Sequence, residues 1–415
     1  MNPERVGCEI EEVAMRTLLD LTALFVTEGS VQMKVLSLGG AGAVCQHATR
    51  DLAQYSDFEQ IVVGDYNVEA AEKLVADIGD PRLQVLRVDA EDYNGLVRTF
   101  RAFDVILNGL PWKYDLAVTR ACVEAGVSGL DVSTEEDQWS YDAAAREKGI
   151  VFIPGVGATP GITNAMARRA ADQLDEVDDI QINFAAFRCP APAPGLLITF
   201  LWEFHPDTEE RLTYRDGEFH WAGPFEGLRM VNFPGPIGEQ EVCYIPHPET
   251  HTMPKTLGAK AVSVRGCFPP HAMRLGKAML EAGLYGEEPI TVKGVETTAF
   301  DALFEILLQV PESKHTPLWA YGLVVEVLGK RDGRDVKITL WNRHPPQEEW
   351  GGTAAYYKNI AIPLSIGAQM IGRGDVEIRG VVAPDTAIDP DIFFAELRRR
   401  SIEIHERVEE YHVVA

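Results

Sequence analysis

The sequence predicts an α/β protein: a doubly wound, Rossmann-type parallel sheet followed by a second α+β domain on a mixed, mostly antiparallel sheet. Three observations carry that prediction. Short runs rich in Val, Ile and Leu alternate with helical stretches from Lys34 to Gly155. The segment "GGAGAV" joins the first run to the first helical stretch. After Gly155 the alternation stops, and Pro and Gly become dense between strand-like pieces.

The first six runs are residues 34–38, 60–65, 83–89, 104–110, 128–133 and 150–155. Each is nearly continuous in hydrophobicity, as a parallel strand covered on both faces requires. Helical spacing fills residues 43–54, 67–78, 93–103, 113–126 and 135–149 between them. The strand order expected of such a chain is 3-2-1-4-5-6. Beyond it, "PGVGATPGITNAMARRAADQL" is a Gly/Pro loop running into a helix. Strand-like pieces follow at 180–188, 211–221, 258–265, 289–295 and 321–340, with covering helices near 271–283 and 298–309. Helical spacing returns after residue 351 despite Pro363.

These shifts divide the chain into an N-terminal extension (1–32), a dinucleotide-binding domain (33–155), a substrate and dimerisation domain (156–350) and a helical C-terminal segment (351–415). The extension contains "MRTLLDLTALFV", which superficially resembles a signal peptide. Asp20 interrupts its apolar run and no small-residue cleavage site follows, so an appended helix or a misassigned start before Met33 is expected. A dimerisation arm is the alternative.

With 63 acidic against 38 basic residues the formal net charge is −25. Such a surface repels nucleic acid and anionic membrane. The six cysteines are scattered and form no CxxC, which argues against a zinc knuckle or a disulfide framework and suits a reducing cytoplasm.

In the glycine turn, Gly40 permits the tight bend and Gly42 lets the backbone approach a pyrophosphate. Cys45 stands where a third glycine usually serves helix–strand packing, a role a small apolar side chain can fill. The amides that follow, at Ala43 and Val44, would hold phosphate at the helix start. Asp65, ending the second run, is placed to accept the adenosine ribose hydroxyls and to repel a 2′-phosphate, which favours NAD over NADP. Tyr66 and Asn67 after it offer no obvious phosphate clamp. Asp89 and Ala90 are expected to flank adenine, and Asn108, Gly109 and Leu110 to lie along the nicotinamide.

Groups for chemistry should come from the carboxyl ends of strands four to six and from the facing domain. Lys113 could bind a substrate carboxylate or, with a lowered pKa, move a proton; Tyr114 lies beside it. Asp131 ends an apolar strand, where a carboxylate needs work or a partner, and could pair with a substrate ammonium. In "GATPGITN", Thr159 is the expected N-cap, and free amides near Gly161 could hold a substrate carboxylate. The segment "HPETHTMPKT" holds His247, His251 and Lys255 in what its prolines suggest is a loop. That argues against a helical zinc motif and for His251 or His247 as a general base. Arg188 and His271 are further candidates to face the ligand.

Five segments resemble the saccharopine dehydrogenase-like oxidoreductases: "GGAGAV", "IPGVGATPGITNAMARRAADQLDEVDDI", "MPKTLGAKAVSVRG", "LEAGLYGEEPITVKG" and "AAYYKNIAIPLSIGAQMIGRGDVEIRGVVAPDTAI". Within that family the layout is closest to lysine 6-dehydrogenases, and the similarity runs from about Met33 to the end. The resemblance implies a Rossmann domain, a second domain with a mixed sheet, and a C-terminal helix returning to the first. It also implies NAD(P)-dependent chemistry at a carbon–nitrogen bond, usually in a homodimer or larger, on substrates such as lysine, saccharopine and carboxynorspermidine. The "RGCFPPH" segment departs from the family, where a Gly-His pair often follows the strand, and "RCPAPAPGLLITFLWEFHPDTEE" is distinctive.

The expected reaction passes a hydride from an amine-bearing carbon to nicotinamide, with His251 or Lys113 taking a proton and water hydrolysing the imine. Three readings compete: an amino-acid dehydrogenase releasing ammonia, a reductase joining an amine and a carbonyl, and a non-catalytic NAD-binding subunit. The reductase product carries extra carboxylates and calls for cationic anchors, for which Arg188, Arg229, Lys255 and Arg265 are available.

Overall fold

A computed structural model describes residues 33–309 and 318–411. The N-terminal extension of residues 1–32 lies outside the described residues.

Six parallel strands come first: β1 (Lys34–Leu38), β2 (Gln60–Asp65), β3 (Leu83–Arg87), β4 (Val105–Asn108), β5 (Ser128–Asp131) and β6 (Val151–Ile153). They lie in the order 3-2-1-4-5-6, as the alternation predicts. The linking helices are α1 (Cys45–Tyr55), α2 (Val68–Ile78), α3 (Tyr93–Phe100), α4 (Asp115–Ala125) and α5 (Asp142–Lys148). Asn67 and Asp92 start α2 and α3 by accepting the amides of Ala70 and Gly95. Leu36, Ile106, Phe100, Val118 and Phe152 form the core between the sheet and α3–α5, which is why these strands read as unbroken apolar runs.

Helix α6 (Ile162–Ala171) leads into the second sheet. Its strands are β7 (Glu176–Phe187), β8 (Leu212–Arg215), β9 (Glu218–Trp221), β10 (Arg229–Phe233), β11 (Gly238–Tyr244) and β12 (Ala261–Cys267). A small separate hairpin, β13 (Ile290–Val292) and β14 (Val295–Thr297), precedes the long pair β15 (Ala320–Arg331) and β16 (Arg334–Arg343). The main order is β10-β11-β12-β7-β15-β16, and only β12 and β7 run parallel. Helices α7 (Pro194–Phe204), α8 (Glu249–Thr256), α9 (Pro270–Glu281) and α10 (Ala299–Gln309) belong to this half.

The C-terminal residues visit both sheets. Helix α11 (Ala354–Arg373) packs on α1, β4 and β5, and β17 (Gly380–Val381) then adds to the edge of the first sheet beside β6. Helices α12 (Pro384–Ala387) and α13 (Pro390–Arg399) follow, and β18 (Glu403–Glu410) joins the second sheet beside β16. A buried ion pair fastens this ending: Arg400 Nε lies 2.8 and 2.9 Å from the carboxylate oxygens of Asp51 on α1. The expected all-helical ending is therefore corrected. "EIHERVEE" is short and charged and gives no strand signal alone; the free edge of β16 makes it a strand. Strands β10 and β11 and helices α7 and α8 are likewise additions to the sequence reading. No helix among the described residues is long and apolar enough to cross a membrane.

Candidate active site

The cofactor half is built mostly from backbone. Gly39 and Gly40 donate to the Gly64 carbonyl, and Gly42 donates to Gly39, which closes the turn after β1. The amides of Ala43 and Val44 take no partner among the described residues. Gly42 is exposed, and a methyl there would touch nothing but the Gly39 carbonyl, so its bare face is open to a ligand's approach. At the end of β2 the Asp65 carboxylate turns back over this loop, accepting the Ala41 amide at 3.1 Å and the Asn67 amide at 2.9 Å. Open amides at a helix start with a carboxylate one strand away fit a dinucleotide. Tyr66 is exposed, with the Arg87 guanidinium stacked over its ring at 4.7 Å. Asp89 and Ala90 are half-buried after β3, where Asp89 accepts the Glu91 amide.

Cys45 fills the third-glycine position as expected of a small apolar group. It is buried against the Leu38 carbonyl, and its sulfur occupies the space that a side chain on Gly109 would need. Burial pushes its thiol up to about 12, so it is a packing group rather than a nucleophile.

At the ends of β4 and β5 lies a buried acid network. Asn108 Nδ2 donates to Asp131 Oδ1 at 2.7 Å and to Asp115 Oδ1 at 3.1 Å, while its Oδ1 accepts the Leu110 amide at 3.2 Å. Ser133 donates to Asp115 Oδ2 at 2.6 Å, and Gln138 donates to Asp131 Oδ2. Among the described residues no cation is paired with either carboxylate. Burial pushes Asp115 up to about 7; burial and the Asp115 charge raise Asp131 well above the ordinary carboxylate range. Asp131 is fully enclosed and both its oxygens are bonded within the protein, so in this geometry it does not present a carboxylate to a substrate ammonium. Instead the network fixes Asn108 and, through it, the turn at Gly109 and Leu110.

The facing half is built from side chains. Val156, after β6, donates to the Asp131 carbonyl, so the segment that follows starts at the acid network. From that segment the Thr159 hydroxyl donates to Glu249 Oε1 at 2.8 Å, and Thr163 on α6 donates to the same oxygen at 2.9 Å. The other oxygen of Glu249 lies 3.1 Å from His247 Nδ1. Burial pulls the His247 imidazole down, but the Glu249 carboxylate outweighs it and raises its pKa; reciprocally, His247 holds Glu249 below its ordinary range against the effect of burial. The His247 ring packs 5.2 Å from Phe184 and leaves Nε2 uncommitted among the described residues.

Several expectations are corrected here. Thr159 is not an N-cap: α6 starts after Gly161, whose φ of +120° and lack of Cβ allow the Gly157 backbone to press against it. The amides there are spent, Gly161 on the Asn164 side chain, Ile162 on Gly157 and Thr163 on Ala158, so none is left for a substrate carboxylate. The "HPETHTMPKT" loop is in fact helix α8 from Glu249. Pro248 precedes the helix, and Pro254 forfeits a bond only near its end. Lys113 is exposed, with Tyr114 and then Glu91 raising its pKa, the reverse of what a proton carrier needs. Tyr114 donates to Glu91 at 2.6 Å, on the same outer side.

The remaining candidates separate. Arg188 is buried, yet its guanidinium bonds the Tyr356 hydroxyl and the carbonyls of Cys189, Pro190 and Leu196. His251 stacks on Phe219 at 5.2 Å; burial lowers its pKa, with Glu136 and Glu210 opposing. Lys255 is exposed at the end of α8, and His271 is half-buried at the start of α9. Sequence reasoning missed Glu249 as the hub, although it stands within the quoted histidine segment, and missed Thr163 and Glu203. Glu203 is buried on α7, and burial pushes it up to about 7 against the restraining charges of His247, Arg188 and Arg211.

The fold, built on two main sheets, and the site together define a nicotinamide-dinucleotide oxidoreductase. The chain belongs to the saccharopine dehydrogenase family: residues 35–153 match the saccharopine dehydrogenase NADP binding domain and residues 157–402 the saccharopine dehydrogenase C-terminal domain. It is 23% identical over 400 residues to a carboxyaminopropylagmatine dehydrogenase of Synechocystis, covering 91% of this chain and 98% of that protein. It is 25% identical over 411 residues to a carboxynorspermidine synthase of Vibrio alginolyticus, covering 89% and 95%. Its fold matches saccharopine dehydrogenase (L-Glu forming) from Saccharomyces cerevisiae with a TM-score of 0.69 at 15% identity, covering 91% of this chain and all of that one.

Proposed function

We propose that this protein is an NAD(P)H-dependent reductase that joins a polyamine-type amine to a carbonyl compound, making a secondary amine. One observation carries the choice over a saccharopine-like product with several carboxylates. The arginines available as anchors are committed elsewhere: Arg188 to carbonyls, Arg229 to Glu326 at 2.6 Å, and Arg265 to the Gly227 carbonyl, Ser263 and Tyr244. With Glu249 bonded to His247, Thr159 and Thr163, the further buried acid acting on His247 is Glu203, which favours a cationic partner. Two full-length relatives whose names denote carboxylated polyamines support the same reading.

In this reading the amine and carbonyl lose water to give an imine, and the bound dinucleotide supplies the hydride that reduces it. His247, oriented and charged by Glu249, donates a proton to the imine nitrogen from Nε2. Thr159 and Thr163 hold the Glu249 carboxylate still, so the imidazole keeps one orientation. Asn108 fixes the turn along which a nicotinamide would lie, and Asp65 would accept the adenosine ribose hydroxyls, which favours NAD. The protein is expected to work as a homo-oligomer on free small molecules.

The test is oxidation of NADH or NADPH by purified protein with a diamine and a carboxylated aldehyde, each alone and together. Consumption only with both supports the proposal. NADH and ammonia formed from lysine alone would replace it with oxidative deamination, and tight dinucleotide binding without turnover would leave a non-catalytic subunit.

A further inference from the structure

Two opposite charges lie side by side on the adenosine side of the dinucleotide site and do not pair. Strands β2 and β3 run parallel, with Asp65 and Arg87 as register partners at their carboxyl ends. Asp65 is taken by backbone: one oxygen accepts the Ala41 amide at 3.1 Å and the other the Asn67 amide at 2.9 Å. Arg87 is exposed, and its guanidinium lies 4.7 Å over the ring of Tyr66, which is itself 66% exposed. Among the described residues that guanidinium has no hydrogen-bond or ion-pair partner.

A guanidinium stacked on an aromatic face keeps its N–H edge open, and that edge fits the oxygens of a phosphate two at a time. The formal net charge of this chain is −25. Such a field repels a phosphate monoester unless a cation stands at the point of contact. In a doubly wound sheet the carboxyl end of the second strand meets the adenosine ribose, and β3 is its neighbour here. The Asp65 carboxylate opposes a 2′-phosphate, but its two amide bonds already take up part of its charge.

We infer that Arg87 is a specificity-determining residue that seats the 2′-phosphate of NADP, so that this protein binds both dinucleotides and its selectivity is the balance of Asp65 against Arg87. NAD leaves the guanidinium on Tyr66. NADP draws it to the phosphate, and the tyrosine ring, by restricting the free arginine, lowers the cost of ordering it there. The inference concerns cofactor choice and does not depend on the reaction proposed above.

The test is calorimetric titration of the full chain with NAD⁺ and NADP⁺, and with adenosine 5′-phosphate and adenosine 2′,5′-bisphosphate as fragments. The native protein should bind NADP⁺ within about thirtyfold of NAD⁺. Arg87→Ala should weaken NADP⁺ and the bisphosphate about tenfold or more while NAD⁺ and the monophosphate stay within about twofold, and Arg87→Lys should recover part of the loss. The side chain is exposed, so the variants should fold, and an unchanged NAD⁺ affinity reports that they have. A native gap between NAD⁺ and NADP⁺ wider than about thirtyfold overturns the inference. So does an Arg87→Ala protein whose affinities for the two dinucleotides move together or not at all. The two proposals fail separately: selective loss of NADP⁺ binding without amine-plus-carbonyl turnover retires the reaction and keeps the phosphate seat, and turnover with an Arg87-independent NADP⁺ affinity does the reverse.

Discussion

Two buried carboxylate networks stand at the carboxyl edge of the first sheet and are built in opposite ways. Asp115 and Asp131 share Asn108 and have only neutral partners, so burial raises both. Glu249 is just as buried, but an imidazole sits on one oxygen and two hydroxyls on the other, and its pKa falls. The charge of the partner, and not the depth of burial, decides the protonation state. A protonated network behaves as scaffolding, while a charged one can hold an imidazole ready to give up a proton. Under the proposed function the first network would shape the cofactor's seat and the second would belong to the chemistry.

The largest effect should come from Glu249→Gln, which keeps the shape and removes the charge. Turnover is expected to drop about 10²–10⁴-fold, with dinucleotide KM unchanged. Steady-state rates within threefold of the native enzyme would break the contrast between machinery and scaffold. Next is Gly109→Ala, which drives a methyl into Cys45 and should cost about 1–3 kcal/mol in urea unfolding. Adding Cys45→Gly should recover much of that loss, and strictly additive losses would deny the coupling.

The pH response sharpens the comparison further. Asp115 binds its proton more tightly folded than unfolded, so its contribution to stability is present at low pH and is lost as pH rises from 3.8 to about 7. Asp115→Asn, with the Ser133 hydroxyl turned to accept, should abolish that fall and stabilise the protein above pH 7 by about 1–2 kcal/mol. The His247–Glu249 pair runs differently. The raised histidine contributes fully below 6.5, the lowered glutamate fully above 4.5, and their joint contribution is whole between those values. Unfolding curves measured from pH 4 to 8 that are parallel for native and Asp115→Asn protein would refute the assignment.

The smallest effect is expected from Asp65→Ala, about tenfold in the ratio of kcat/KM for NADH over NADPH, toward NADPH. Arg87, stacked on neighbouring Tyr66, would then be free to meet a 2′-phosphate. A variant that kept the native ratio would remove the ribose assignment.

Much of the first sheet was legible because each signal is local. The glycine turn and the alternating runs lie within a few residues of what they act on, and Asp65 is marked by its place at the end of the second run. Even Cys45 was readable as packing, though its partner Gly109 was not. Helix α8 was hidden by its prolines, and β18 by its charges. Asp131 was correctly singled out as a costly carboxylate, yet its neutral partners Asn108 and Gln138 turn it inward.

The sequence by itself determined the doubly wound sheet, its strand order and the dinucleotide turn, because periodicity and glycine act through the backbone of their own segment. Only the tertiary structure decided which acids are charged and which residue the histidine serves. Thr159 and Thr163 lie far from His247 and Glu249 along the chain. Their chemistry arises from hydrogen bonds that converge on the buried Glu249 carboxylate, where removing water makes each neighbour's charge count.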